Sequence, residues 1–121
     1  MKLKRKIEDI PEPPVSPGIR VTVMELSGLV TNTEMFEMRD QIQQGIEQGK
    51  INVLVDLGKV KHITLPGIPV FVQMAERLRA RGGYLKIAGA SEALLEILDL
   101  VGVRDRLVIG KDREQVLRCF R

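Results

Sequence analysis

The chain has 121 residues, of which 44% are hydrophobic and 29% are charged. This composition is typical of a single folded domain and argues against a disordered chain. The net charge is only +3 and aromatic residues make up 3%, so neither a basic stripe nor a stacking platform for nucleic acid is expected. The only cysteine, Cys119, and the only histidine, His62, exclude an internal disulfide and a metal site built on two histidines.

The first eighteen residues differ from the rest of the chain. Residues 2–6 are mostly basic, and four of the six prolines fall within residues 11–17. Because proline avoids helix interiors and central strands, we expect a basic, proline-rich N-terminal arm over residues 1–18, with an edge strand at residues 3–10 and a linker at residues 11–18. No apolar signal segment follows the basic start, and no run approaches the ~20 apolar residues that span a membrane. A cytoplasmic protein without a membrane partner is therefore expected.

Regular structure is predicted from residue 19 onward. Apolar and polar residues alternate over residues 19–27, which predicts a strand. Apolar residues then recur at three- and four-residue intervals over residues 35–46, which predicts a helix over residues 31–48. Thr31 and Glu34 have the spacing of a capping box at the start of this helix.

The same alternation continues to the C-terminus. The further predicted elements are a buried strand at residues 51–57, a helix at 70–81, a strand at 84–88, a helix at 91–100 with Ser91 as N-cap, a strand at 107–109 and a helix at 112–120. Strands that alternate with helices predict an α/β layer with a mainly parallel sheet, and residues 19–121 are expected to form this one domain.

Few residues suggest chemistry. Asp56 ends a buried strand, where a receiver domain carries its phosphoryl-accepting aspartate, but residues 27–31 lack the acidic pair that such a site needs. Asp56 is therefore expected to bond to loop amides. His62 is expected to be exposed in a polar loop, and Cys119 to be a buried or half-buried small hydrophobe. Gly82–Gly83 follows a helix rather than a strand, which is the reverse of a phosphate-binding turn. No catalytic residue, metal or cofactor is predicted.

The segment over residues 56–68 is the most informative. It joins a buried strand to a helix, and α/β domains place their sites where a parallel strand ends at a helix N-terminus. Asp56–Leu57, the apolar residues Val60 and Ile63, and Gly67 lie at the spacing of a stretch of the STAS domain family, which reads Asp-Leu, a short loop, and an apolar residue before Asp-Ser-Ser-Gly-Leu. The chain resembles this family, the bacterial anti-sigma-factor antagonists. Residues 81–88 and 91–103 resemble its next turn, strand and helix.

The resemblance implies a STAS-type single domain with a mixed, mostly parallel sheet of four to five strands packed with about four helices. It also implies partner switching, in which the antagonist binds an anti-sigma kinase and frees the sigma factor until the kinase phosphorylates the second serine of Asp-Ser-Ser-Gly. We expect partner binding through residues 31–36 and 64–69. The residues expected to contact the partner are Thr31, Asn32, Thr64, Leu65, Pro66, Gly67, Ile68 and Pro69.

This chain departs from the family at the phosphorylation motif, which reads Thr64-Leu65-Pro66-Gly67. Pro66 has no hydroxyl at the usual serine position, and Thr64, two residues earlier, is a weak substitute. Pro66 and Pro69 also lack the N–H groups that would hold a phosphate at a helix start. We expect an exposed apolar turn, formed by Leu65, Pro66, Ile68 and Pro69, that binds a protein without being phosphorylated. The alternative is that these side chains fold onto the core.

Other functions stay open at this point. A small-ligand carrier or sensor of STAS type is one alternative. A nucleotide site would need donors and basic groups around the turn, and the prolines argue against that, whereas a lipid site would need a deep apolar pocket. An enzyme is not expected, because no nucleophile has a positioned base. A homodimer through the N-terminal arm or an edge strand is a further alternative.

Overall fold

A computed structural model of the chain describes the backbone of residues 2–4 and residues 19–120. Its strands are β1 (Lys2–Lys4), β2 (Thr22–Val30), β3 (Asn52–Ile63), β4 (Tyr84–Ala88) and β5 (Val108–Gly110). Its helices are α1 (Asn32–Glu47), α2 (Pro69–Ala80), α3 (Glu92–Leu100) and α4 (Arg113–Leu117), with short 3₁₀ turns at Leu65–Gly67 and Arg104–Arg106. The predicted α/β fold is confirmed.

The strands form one sheet in the order β1-β2-β3-β4-β5. β1 pairs with β2 in antiparallel orientation, and every later pair is parallel. The predicted mixed, mostly parallel sheet is therefore confirmed. The structure has an edge strand at Lys2–Lys4, whereas the remainder of the edge strand predicted at residues 3–10 and the linker at residues 11–18 lie outside the described residues.

Both faces of the central strands are covered. Val53 and Val55 pack into a large core with α1, α2 and α3, whereas Leu54 between them packs into a smaller core with α4. Successive side chains of a strand point to opposite faces. The nearly continuous apolar run at residues 51–57 thus fits a strand buried on both sides, as the sequence predicted.

The helix ends follow the predicted caps. The amide of Thr31 donates to Glu34 Oε1 over 2.8 Å, and the hydroxyl of Thr31 donates to the same oxygen. Ser91 Oγ accepts a hydrogen bond from the amide of Leu94 at 3.1 Å. Both caps were predicted and are confirmed. The last helix, in contrast, covers only Arg113–Leu117 rather than residues 112–120.

β3 is longer than predicted, because it continues through the residues expected to form a polar loop. Its pairing with β4 ends at Asp56–Ala88, but its pairing with β2 continues to Val30–Ile63. The register shifts twice along this stretch, between Glu25 and Ser27 and between Gly28 and Leu29. These irregularities break the two-residue alternation by which a strand is predicted. The carboxyl-terminal half of β3 therefore projects beyond β4 beside β2 alone.

Candidate functional site

The two segments predicted to bind a partner lie against each other. The amide of Thr64 donates to the carbonyl oxygen of Val30 over 3.0 Å, which places the turn after β3 beside the start of α1. The hydroxyl of Thr64 donates to Asn32 Oδ1 over 2.8 Å. A Cβ added at Gly67 would lie 2.6 Å from Met35 Cγ, so only glycine allows this close approach. We call residues 31–36 and 64–69 together the α1–turn surface.

Four apolar side chains of this surface reach solvent. Leu65 is 57% exposed and Phe36 is 41% exposed, and both Pro66 and Pro69 are exposed. The guanidinium group of Arg39 lies over the ring of Phe36, and the distance from Arg39 Cζ to the ring centre is 4.8 Å. The exposed apolar turn expected from the sequence is therefore present for Leu65, Pro66 and Pro69.

The expectation for Ile68 is wrong. Its side chain is only 1% exposed and belongs to the large core with Phe71 and Met35. The short 3₁₀ turn at Leu65–Gly67 directs Leu65 outward and Ile68 inward, so the folded-back alternative holds for this one side chain. Gly67 is also buried. Neither residue offers a side chain to a partner, although both shape the turn.

Two hydroxyls of the α1–turn surface are already used in hydrogen bonds within the protein. The hydroxyls of Thr31 and Thr64 donate to Glu34 and Asn32. Partial burial raises the pKa of Glu34, but the hydrogen bonds from the hydroxyl and amide of Thr31 outweigh burial and hold that pKa below its ordinary value. A phosphate on Thr64 would have to break the bond to Asn32.

The turn offers few donors to an anion. Pro66 and Pro69 have no N–H group. The amide of Gly67 donates to the carbonyl oxygen of Thr64 over 3.0 Å, and the amide of Ile68 donates to that of Leu65 over 3.1 Å. Helix starts bind phosphate through free backbone amides. Pro66 and Pro69 therefore offer no amide to an anion, and the amides of Gly67 and Ile68 are already used.

The carboxylate of Asp56 is held by a hydrogen bond and an ion pair within the protein. Its Oδ1 accepts a hydrogen bond from the amide of Gly58 at 2.9 Å, as predicted. Its Oδ2 also pairs with Arg113 Nε at 2.9 Å, and Arg113 Nη2 pairs with Glu25 Oε2 at 2.8 Å. Arg113 therefore ties the start of α4 to two strands. Sequence spacing could not reveal a pairing between residues 57 positions apart.

The single histidine and the single cysteine take no part in the hydrogen bonds described for the α1–turn surface. His62 is exposed as predicted, but on β3 rather than in a loop. Cys119 is exposed, so the prediction of a buried or half-buried thiol is wrong.

Phe36 is an exposed residue that the sequence could have identified, because it lies outside the apolar helix stripe that includes Met35 and Met38.

Within residues 19–120, no group of three or more His, Cys, Asp or Glu residues could hold a metal ion. No helix in the described part of the chain is long and apolar enough to cross a membrane.

A cleft between α3 and β5, separate from the α1–turn surface, is lined by Ala90, Leu95, Arg104, Leu107, Ile109, Gly110 and Lys111.

Comparison with known proteins agrees with this arrangement of sheet, helices and turn. A family model described as "Mlab, STAS domain" matches residues 19–110. The chain therefore belongs to the STAS domain family, as the resemblance at residues 56–68 and 81–103 predicted.

The similar curated proteins are named as anti-sigma factor antagonists. BtrV of Bordetella bronchiseptica, a candidate anti-sigma factor antagonist, is 22% identical over 79% of this chain and 83% of its own length. The anti-sigma-B factor antagonist of Bacillus subtilis is 29% identical over 64% of this chain and 70% of its own length. A solved anti-sigma factor antagonist from Mycobacterium paratuberculosis has the same fold, with a TM-score of 0.77 at 15% identity over 98% of this chain and 93% of that one.

Proposed function

We propose that this chain is a non-catalytic regulatory module that acts in the cytoplasm as an anti-sigma factor antagonist. Its partner in this proposal is an anti-sigma factor of the serine-kinase type or a related signalling protein. The partner binds the α1–turn surface through Thr31, Asn32, Thr64 and the exposed side chains that follow Thr64. Nucleic acid, metal and cofactor have no part in this function.

One observation carries the proposal. The start of α1 and the turn after β3, which are far apart in sequence, are joined by the hydrogen bond between Thr64 and Asn32, and each of them exposes a large apolar side chain, Phe36 and Leu65. Exposed apolar side chains on two joined segments offer area that a partner can bury. Two curated antagonists of similar sequence support the choice of partner class.

We further propose that binding is not ended by phosphorylation of the turn. The usual serine position carries Pro66, and the hydroxyl of Thr64 is bonded to Asn32. The complex would then be controlled by the amount of the antagonist or by another input. Mass spectrometry after incubation with the kinase and ATP tests this point, because stoichiometric phosphate on residues 64–67 would contradict it.

The binding surface can be tested with two leucines. Leu65 and Leu100 are both exposed, at 57% and 85%, but Leu100 lies at the end of α3 outside the α1–turn surface. Leu65→Asp should weaken binding to an anti-sigma factor from the same genome at least tenfold, whereas Leu100→Asp should leave it unchanged. A fully buried apolar contact contributes about 1.5–3 kcal/mol, which corresponds to roughly ten- to hundredfold in affinity. If calorimetry gives the same loss of affinity for Leu65→Asp and for Leu100→Asp, the result would argue against binding through the α1–turn surface.

A small-ligand carrier of STAS type, for a nucleotide or a lipid, is the second candidate. The cleft between α3 and β5 favours it, since apolar Leu95 and Ile109 line this cleft together with the cations Arg104 and Lys111. An amphipathic anion would bury its apolar part there and pair its charge at the rim. A thermal-shift screen discriminates the two candidates, because stabilisation by micromolar nucleotide or fatty acid would favour the carrier.

A further inference from the structure

The projecting part of β3 has one edge without a neighbouring strand. β2 pairs with β3 as far as Ile63, whereas the pairing of β4 with β3 ends at Asp56. Gly89 lies against Gly58 at the point where β4 ends, since a Cβ on Gly89 would be 3.0 Å from the Cα and N atoms of Gly58. Beyond Gly58, no described strand pairs with β3 on the side opposite β2. We call residues 59–62 the open β3 edge.

Part of the backbone of the open β3 edge is available for pairing. Residues 59, 60 and 62 pair with β2, so only the N–H and C=O groups that point away from β2 are open. Within the described part of the chain, none of the backbone hydrogen bonds formed outside helices and strands involves residues 59–62. The side chains of Lys59, Lys61 and His62 are exposed, and Val60 is half-buried against the large core. An exposed strand with unpaired N–H and C=O groups is a template for a further strand.

The charges of this edge restrict what can pair with it. Lys59 forms an exposed ion pair with Glu25 at 3.4 Å, while Lys61 and His62 form no ion pair among the residues that the structure describes. Glu25 and Asp56, the nearby acids, are already paired with Arg113. Lysines on an edge strand repel an identical edge, so a second copy of the chain is disfavoured there. The same lysines attract carboxylates.

We propose that the open β3 edge binds an acidic, extended segment of a partner protein, which adds to the sheet as a further strand beside β3. The N–H and C=O groups of residues 59–62 that point away from β2 supply the hydrogen bonds, and Lys61 supplies the charge preference. Two lysines, Lys59 and Lys61, are too few for strong nucleic-acid binding, which depends on many phosphate contacts. This proposal goes beyond the antagonist function and its test needs no anti-sigma factor, so either can fail without the other.

The test uses the full chain labelled with ¹⁵N and an eight-residue peptide of alternating glutamate and valine. We expect the peptide to shift the amide resonances of residues 59–63 at low ionic strength. The same peptide with every internal backbone nitrogen methylated keeps its side-chain charges but loses the N–H donors along both of its edges, and it should not bind. Equal binding by the methylated peptide, or no shift with the unmodified one, would overturn the proposal.

Two substitutions separate local from general electrostatics. Lys61→Glu should weaken binding of the acidic peptide roughly fivefold, the size expected for one exposed ion pair. Arg79→Glu makes the same change in net charge at an exposed site in the last turn of α2 and should leave the affinity unchanged. Equal weakening by both substitutions would overturn the proposal, as would tighter binding of a single-stranded oligonucleotide of the same charge to these amides.

Discussion

The hydrogen bond between Thr64 and Asn32 holds the α1–turn surface together, and its contribution to stability can be measured. Its length is 2.8 Å and it is partly buried. The net contribution of such a neutral hydrogen bond is about 1 kcal/mol, because the unfolded chain bonds to water instead. Thr64→Val keeps the shape of the side chain but removes the donor. We therefore expect a loss of about 1 kcal/mol in the free energy of unfolding, or roughly 3–5 °C in melting temperature.

A double-mutant cycle isolates this hydrogen bond from the other effects of each substitution. Thr64→Val, Asn32→Ala and the double variant should give a coupling energy of about 0.5–1.5 kcal/mol in urea unfolding. Thr33→Val is the matched control, since Thr33 is exposed in the first turn of the same helix, and its effect should be near zero and additive with Thr64→Val. A coupling energy of zero between residues 32 and 64 would refute the joined surface.

The remaining predictions concern stability and are read from urea unfolding of the full chain. Gly83→Ala should cost about 3 kcal/mol, because its Cβ would lie 1.9 Å from the Ile51 carbonyl oxygen; a cost below 1 kcal/mol would contradict this packing. Gly45→Ala, whose Cβ would meet only ordinary contacts at 3.5 Å inside α1, should stabilise by about 0.5–1 kcal/mol, the difference in helix propensity. Arg113→Met should cost about 1–2 kcal/mol, because Asp56 loses its ion pair and Glu25 keeps only the exposed pair with Lys59, with a smaller cost in 1 M salt; a cost that does not depend on salt would argue for packing instead. The pKa of Glu34 is lowered in the folded chain, so the stability advantage of wild type over Glu34→Gln should be full above about pH 5 and disappear as the pH falls below about 4; an advantage that grows in acid would have the wrong sign.

Local signals in the sequence were sufficient for the order of strands and helices from residue 19 onward, although not for the full length of β3 or the end of α4. Two patterns predict helix starts: the pair Thr31 and Glu34, and Ser91 before an apolar run. The first amides of a helix have no partner within the helix, so a side-chain oxygen has to accept hydrogen bonds from them. The apolar run at residues 51–57 predicts a strand that is covered on both faces. Each of these patterns depends on residues close together in the chain, and each is found in the structure.

Features that depend on distant residues could not be predicted in the same way. The extension of β3 through Lys59 and His62 is stabilised by pairing with β2 across two register shifts, which leave no alternating pattern. The burial of Ile68 depends on the 3₁₀ turn that precedes it, and the contact of Arg113 with Asp56 depends on how α4 crosses the sheet. The sequence thus predicted an exposed apolar turn at residues 64–69, which the structure has, but not that Ile68 is buried within it.

The central claim is that this STAS domain binds an anti-sigma factor through a turn that cannot be switched off by phosphorylation at the usual position. The most direct measurement is the Kd for an anti-sigma kinase from the same genome, before and after incubation with ATP. The account predicts a complex whose Kd is unchanged by ATP and an antagonist that carries no phosphate on residues 64–67. A complex that dissociates on addition of ATP, with phosphate on those residues, would contradict it.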